Sequence, residues 1–510
     1  MKLKTTLFPR RPVVVLGCGL TLLGCAPGGA APYASGITIT GGTTVNFVLN
    51  EPADSLVFSV NGGAPQILDG SSNGAKSFLL SAPSDTFSIT AAKTSAVGYT
   101  IPTGDITPTA ASGLGAPTPN SGYNLISITG ANTTTAFNSP RGVAVAQDPN
   151  NPNFGTSYIS NSAAGTVAGG RTLGDGLYAI KADQSDAFGY GSTAQTGGIS
   201  FLPASASAPF RVTVGPDSNL YITDFSDATG TIYRTSGTLT SGATVLAGIG
   251  GPTTLPAGQN HGSTTAVYVT GTASSGDLKI FTLDEDLTTA QVTGEGSTTD
   301  RNSLWSYNIG STATPFSGMP TKVTTSQVLV PAAVSDLDRG ANGNWYLGQN
   351  RSAGNEAGLT VLSPDGSTVL FDSLTASASL GSLSDILRNV QGMAVSPDQK
   401  YVAIVLNNSD VAVIPLDENG IPRIGDRLVV DTGTDINSGR DIAFDAAGNI
   451  HYVSSGQAGY RVLSPGGSTS ATTSYNGTSY AFAIVPEPAA GALLGLAAIG
   501  LGRRRRQVPV

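Results

Sequence analysis

One short pattern recurs through this 510-residue chain and limits what it can become. A brief apolar run is followed by a tight turn of Asp, Asn, Pro or Gly, and then by a second apolar run. Phe210-Arg211-Val212-Thr213-Val214 passes through Gly215-Pro216-Asp217-Ser218-Asn219 into Leu220-Tyr221-Ile222-Thr223. Gln391-Gly392-Met393-Ala394-Val395 passes through Ser396-Pro397-Asp398-Gln399 into Tyr401-Val402-Ala403-Ile404. Arg440-Asp441-Ile442-Ala443-Phe444 does the same through Asp445 to Gly448 and on to His451-Tyr452-Val453. Weaker copies begin at Pro140-Arg141-Gly142-Val143 and at Val334-Ser335-Asp336-Leu337. The turn chemistry makes each unit a β-hairpin. A lone hairpin cannot bury both apolar faces, so the units must pack on one another.

The three clear units resemble the blades of NHL and gluconolactonase-like β-propellers. The fold expected is therefore all-β: a six-bladed propeller over residues 123–484, with seven blades as the alternative. That span divides into six units of about 60 residues or seven of about 52, longer than the 40–45 of compact blades, so long loops are implied. A β-sandwich array is the competing arrangement. Upstream, residues 36–105 alternate with period two, as in Thr44-Val45-Asn46-Phe47-Val48-Leu49 and Ser55-Leu56-Val57-Phe58. They read as a small β-sandwich-like module. Val45 to Gly63 resembles the Ig-like domain of flagellar hook-capping proteins. A Pro/Gly/Ser/Thr-rich linker over 106–122 separates module and propeller.

Both ends read as addresses. Residues 1–34 carry Lys2, Lys4, Arg10 and Arg11, then the apolar run Val13 to Leu23, then small residues, the pattern of a secretory signal peptide. Cleavage near Ala31 or Ala34 is one outcome. The other is a lipobox at Leu22-Leu23-Gly24-Cys25, with Cys25 acylated. The last 26 residues begin Val485-Pro486-Glu487-Pro488, run apolar from Ala489 to Gly502, and close with Arg503-Arg504-Arg505-Arg506. Proline keeps the approach extended. The apolar run is shorter than the ~20 residues of a comfortable transmembrane helix and crosses only with tilt or thinned lipid. The arginines hold the end on the cytoplasmic side. In order and chemistry 485–510 resembles the PEP-CTERM sorting signal of Gram-negative bacteria. That resemblance implies an exosortase-type processing enzyme as partner, transient membrane association, and a product at the cell surface or outside the cell. Gln507-Val508-Pro509-Val510 after the arginines is a departure from the pattern.

Charge and cysteine then exclude whole classes. Removing the first 34 residues (+4) and the last 26 (+3) from the formal −8 leaves a body of −15. Such a body repels nucleic acid. Both cysteines, Cys18 and Cys25, lie in the leader, so no disulfide staples the fold. HExxH, CxxC and Walker patterns are all missing from the sequence. The two histidines, His261 and His451, are far apart and read as surface or hairpin residues. Asp217, Asp224, Asp398, Asp445 and Asp284-Glu285-Asp286 are oxygen donors that leave Ca2+ open as a ligand, although Asp at a turn ordinarily caps backbone N–H groups. Trp305, Tyr307, Trp345 and Tyr346 are suited to stacking on sugars or to filling blade interfaces. No catalytic residue is singled out and no metal site assigned. The expected role is binding, to extracellular polysaccharide or an envelope protein, or structural. A metal-dependent lactonase- or lyase-like propeller enzyme is the alternative.

Overall fold

The computed structural model describes residues 32–96, 124–125, 133–167, 170–189, 193–194, 208–225, 231–246, 264–285, 287, 302–311, 315–316, 318, 320–324, 335–350, 356–406, 411–430, 438–455 and 459–486. The leader through residue 31 with Cys25, most of the linker, His261, Asp286, and Glu487 to Val510 lie outside them.

Six antiparallel sheets follow one another from Pro140 onward, five of four strands and one of three among the described residues. Their first strands are Pro140–Val145, Val212–Val214, Thr264–Thr270, Ser335–Arg339, Val390–Val395 and Gly439–Phe444. Each lies beside the next, and the last returns to the first, so the sheets form a closed ring, a β-propeller. The sixth sheet takes its outermost strand from before the ring: Asn124–Leu125 pairs with Gly459–Ser464 through Leu125 with Leu463. Chain ends thus meet in one sheet and lock the circle.

The turns explain the repeat. Ser218, Gly343, Gln399 and Gly448 occupy the same place in four hairpins, and all have positive φ. In each the N–H of that residue donates to the carbonyl three residues back, as from Gln399 to Ser396 at 2.9 Å. Asp217, Asn342, Asp398 and Asp445 then accept from the amide two residues on. Asp and Asn recur because their side chains close the turn. Between neighbouring sheets lie apolar layers, one at each junction. Strands such as Tyr401–Leu406 and Val411–Pro415 are apolar without alternation because both faces are covered.

The C-terminal boundary of the ring differs from the sequence expectation. Gly467–Tyr475 and Tyr480–Pro486, placed in the propeller by the span 123–484, join the N-terminal module instead. They complete a five-stranded sheet of order Tyr480–Pro486, Gly467–Tyr475, Phe87–Ala96, Ser55–Val60, Gln66–Leu68. This sheet packs on a three-stranded one of Ala34–Thr40, Thr44–Leu49 and Gly74–Leu79 around Val45, Phe47, Phe58, Phe78 and Phe87. The physical reason is the open edge of Phe87–Ala96, whose backbone groups need a partner that lies almost four hundred residues downstream. The sandwich therefore rests on the ring where its last and first sheets meet. Tyr33, Phe154 and Phe482 form an edge-to-face triangle there, with centroids 5.6 to 5.7 Å apart.

Candidate functional site

Inner strands of a propeller leave one edge of backbone groups facing the axis, and those groups need partners. Here side chains from the preceding sheet supply them. Asp441 Oδ2 accepts from Val143 N at 2.8 Å, Asp336 Oδ2 from Met393 N at 2.8 Å, and Asp338 Oδ2 from Val395 N at 2.7 Å. Arg211 reaches across the axis with the opposite polarity. Its guanidinium donates to the carbonyls of Arg141 and Arg440 at 2.7 Å each and to that of Gln391, and lies 3.4 Å from Asp441 Oδ1. One side chain thus ties the second sheet to the first, fifth and sixth. Gly142 and Gly392 make this approach feasible. A Cβ on Gly142 would sit 2.7 Å from the Phe210 carbonyl, and one on Gly392 would sit 2.6 Å from the Asp441 Cα.

A cavity of about 710 Å3 runs along this axis. It is walled by the inner strands and the turns at Gly215, Gly340 and Pro397, with Phe482 of the sandwich at its rim. Electrostatics make it less acidic than its formula. Burial pushes the Asp441 carboxyl well above its ordinary range, with Arg211 opposing and Asp336 reinforcing the shift. Asp336, hydrogen-bonded to Asp441, is raised by burial as well, against the pull of Arg211. The Asp338 carboxyl is pushed up to about 7 by burial, less what the Val395 and Arg339 amides restore. Two close carboxyls share a proton more readily than they ionise together. Their lone pairs are committed to backbone amides and Arg211, so the channel presents fixed dipoles rather than a free base. Among the described residues no three carboxylate, imidazole or thiol side chains converge as a metal requires.

The remaining sequence candidates divide as follows. Asp217, Asp398 and Asp445 are bonded within their own turns, and Asp284 Oδ1 accepts from Leu287 N at 3.0 Å. Trp305, Tyr307, Trp345 and Tyr346 are all buried between sheets and offer no stacking face to solvent. Pro486 ends the last strand, opposite Thr469.

His451 is the surprise. Its Nδ1 lies 3.1 Å from Ser157 Oγ and 2.6 Å from the Tyr460 hydroxyl, and its Nε2 is 3.3 Å from Asp445 Oδ2. Ser, His and Asp are brought together from two sheets, yet the arrangement is structural. Serine and aspartate sit on the opposite ring nitrogens from those of a hydrolase triad. All three residues are 2 % exposed or less, and neither His451 nor Ser157 lines the axial cavity. The sequence missed this cluster because Ser157 lies almost three hundred residues from the hairpin that carries Asp445, His451 and Tyr460.

Residues 485–506 match the PEP-CTERM protein-sorting motif. The motif implies an exported, envelope-associated protein sorted through exosortase. Among the described residues no helix is long and apolar enough to cross a membrane, and Ala489 to Gly502 lie outside them. No curated protein matches the chain. Solved structures similar to it include the WD40 β-propeller domain of Doa1, at 12 % identity over 67 % of this chain and 96 % of that one, TM-score 0.36. Streptogramin B lyase matches at 8 % identity over 67 % of this chain and 97 % of its own, TM-score 0.34. A DUF4623 family protein from Bacteroides eggerthii matches at 11 % over 84 % of each chain, TM-score 0.40. At these scores they carry no argument here, and the propeller rests on the strand pairings above.

Proposed function

We propose that the protein is a non-catalytic binding or structural propeller of the cell envelope. It enters export through residues 1–34, is held in the membrane through the segment after Pro488, and is released or transferred by exosortase. Extracellular polysaccharide or another envelope protein is its partner. The observation that carries this reading is the placement of the sorting motif. It begins at Val485, inside the strand Tyr480–Pro486 that closes the sandwich, so the folded body runs straight into its address. The commitment of Asp336, Asp338 and Asp441 to backbone amides supports binding over turnover.

The test is fractionation of cells producing the full chain or one lacking 485–510, followed by glycan-array binding of the released protein. The truncated chain should appear in the medium, and the full protein should retain one glycan class without consuming it. Retention of the truncated form in the envelope would count against the sorting arm. A tightly held stoichiometric divalent ion, with glycan cleavage lost on chelation, would instead favour the lactonase- or lyase-like enzyme.

A further inference from the structure

Three first strands carry a β-bulge at the same place, one residue in from their start. The register slips between Pro140 and Gly142, between Val390 and Gly392, and between Gly439 and Asp441, so Arg141, Gln391 and Arg440 are the extra residues. Their sheets, the fifth, sixth and first, are neighbours in the ring. A bulge re-aims a side chain out of the regular pleat. Here the three residues also converge, because the Arg211 guanidinium donates to the carbonyls of Arg141 and Arg440 at 2.7 Å each and to that of Gln391. The Nη groups of Arg211 are spent on these carbonyls and on Asp441. Those of Arg141 and Arg440 are not. Each of these two uses only its Nε, on Ser162 Oγ at 3.2 Å and on Ser455 Oγ at 2.9 Å. Neither lies within ion-pair distance of a carboxylate among the described residues. Both are half-buried, and the Gln391 side-chain nitrogen is buried without a hydrogen-bond partner. Like charges crowd here. Burial, then Arg141 and Arg211, push the Arg440 guanidinium down to about 10, and burial, then Arg211, lowers Arg141. The body around them carries −15 once the two terminal segments are removed, so two unpaired guanidiniums in one place do not reflect a shortage of acid.

We propose that Arg141 and Arg440, with Gln391 beside them, bind a tetrahedral oxyanion, a phosphate or sulfate group, at the end of the axis opposite the turns at Gly215, Gly340 and Pro397. None of the three lines the axial cavity, so this is a separate site. Half-buried charge without a partner costs free energy, and a bound anion offsets that cost. A guanidinium presents a planar fork of donors that suits an oxyanion bidentately. Ser162 and Ser455 hold the two forks at Nε and leave both Nη groups of each to the ligand. A carboxylate has two oxygens in one plane and satisfies one fork. A tetrahedral anion has oxygens for both forks and for the Gln391 amide as well. The equivalent positions in the second and fourth sheets are Phe210 and Ser335, so the charge gathers on one side of the ring. A free ion and an ester on a larger molecule share this chemistry, and the test separates them. The inference goes beyond the binding role proposed above and does not depend on it.

The experiment is calorimetric titration and thermal unfolding of the purified full-length protein in detergent. The probes are inorganic phosphate and sulfate, glucose 6-phosphate, and glucuronate as a carboxylate control. Arg141→Gln, Arg440→Gln and, as a surface control, Lys400→Gln are compared. The expected result is a single site for phosphate or sulfate that raises the unfolding midpoint. Its affinity should fall about tenfold with either arginine substitution, stay unchanged with Lys400→Gln, and decline as salt rises. Protection of Arg141 and Arg440 from phenylglyoxal by the anion, read by peptide mass, gives a second readout that needs no variant to fold. Glucose 6-phosphate bound as tightly as phosphate marks the ligand as an ester and its rejection marks a free ion; both support the site. Absence of a site for either ion, unaltered binding in both arginine variants, or no protection would each overturn it. Glucuronate bound as tightly as phosphate would overturn the tetrahedral assignment. None of these outcomes bears on glycan retention by the array, which tests the broader reading separately.

Discussion

The two junctions flanking the fifth sheet and the junction that closes the ring share an apolar layer but place their buried polar groups differently. Val402, Ile404, Val405, Val411, Ala412, Val413 and Ile414 are completely buried and belong to two apolar clusters between the sheets. The closing junction between sixth and first sheets has an apolar layer too, around Ile159, Tyr178 and Val453. It adds Ser157, His451, Tyr460 and Asp445 in a buried polar chain, and Asp441 reaching over to the Val143 amide. An apolar layer tolerates small shifts because contact is not directional. A polar chain accepts one register, since any misplaced member leaves a buried group without a partner. The ring is thus filled by burial and indexed at its seam by hydrogen bonds, with the sandwich laid across the same seam.

That contrast can be broken most forcefully at the axis. Asp441→Ala removes the carboxylate beside Arg211 and orphans the Val143 amide, and should cost about 3–5 kcal/mol in urea unfolding. A loss under 1 kcal/mol would show that the seam is not held by its polar pairs. Next comes the apolar layer: Ile404→Ala should cost about 2–4 kcal/mol through lost transfer energy and a residual cavity, with no change in pH dependence. Replacing His451 by Leu should cost about 1–2 kcal/mol, because it removes the ring nitrogen shared by Ser157 and Tyr460 and leaves those hydroxyls only each other, at 3.0 Å. A neutral outcome there would mean that the polar chain adds nothing to the seam.

A smaller effect is expected from pH. The folded Asp338 holds its proton to about pH 7, while an unfolded aspartate releases it near 4. The folded state therefore binds more protons between those values, and stability should fall as pH rises through that window and level off above it. The amplitude is on the order of 1 kcal/mol after discounting for the water that reaches this partly buried group. Asp338→Asn should flatten the profile, and a stability that rises with pH across the window would contradict the assignment. Smallest is Ser218→Gly, which relieves a left-handed serine and should gain roughly 0.5 kcal/mol, read from the unfolding midpoint.

Much of the axial site was present in the repeat register without being recognisable as a site. Gly142, Arg211, Asp336, Gly392 and Asp441 all stand just before the apolar core of their first strands, at one equivalent position. A position that is glycine or charged in five of the six sheets, with Thr265 in the other, points to crowding plus polarity, which is what the axis imposes. That signal names the residues but not their pairing.

The sequence by itself determined the hairpin unit, its turn chemistry, the all-β class and the terminal address. These follow from local rules of backbone conformation and from a period of two. Only the tertiary structure decided that the last hairpin leaves the ring for the sandwich, that Arg211 faces Asp441, and that Ser157, His451 and Asp445 converge out of reach of solvent. Each of those depends on backbone or polar groups that must find partners when buried. Their partners lie a hundred to four hundred residues away, where no linear pattern can connect them.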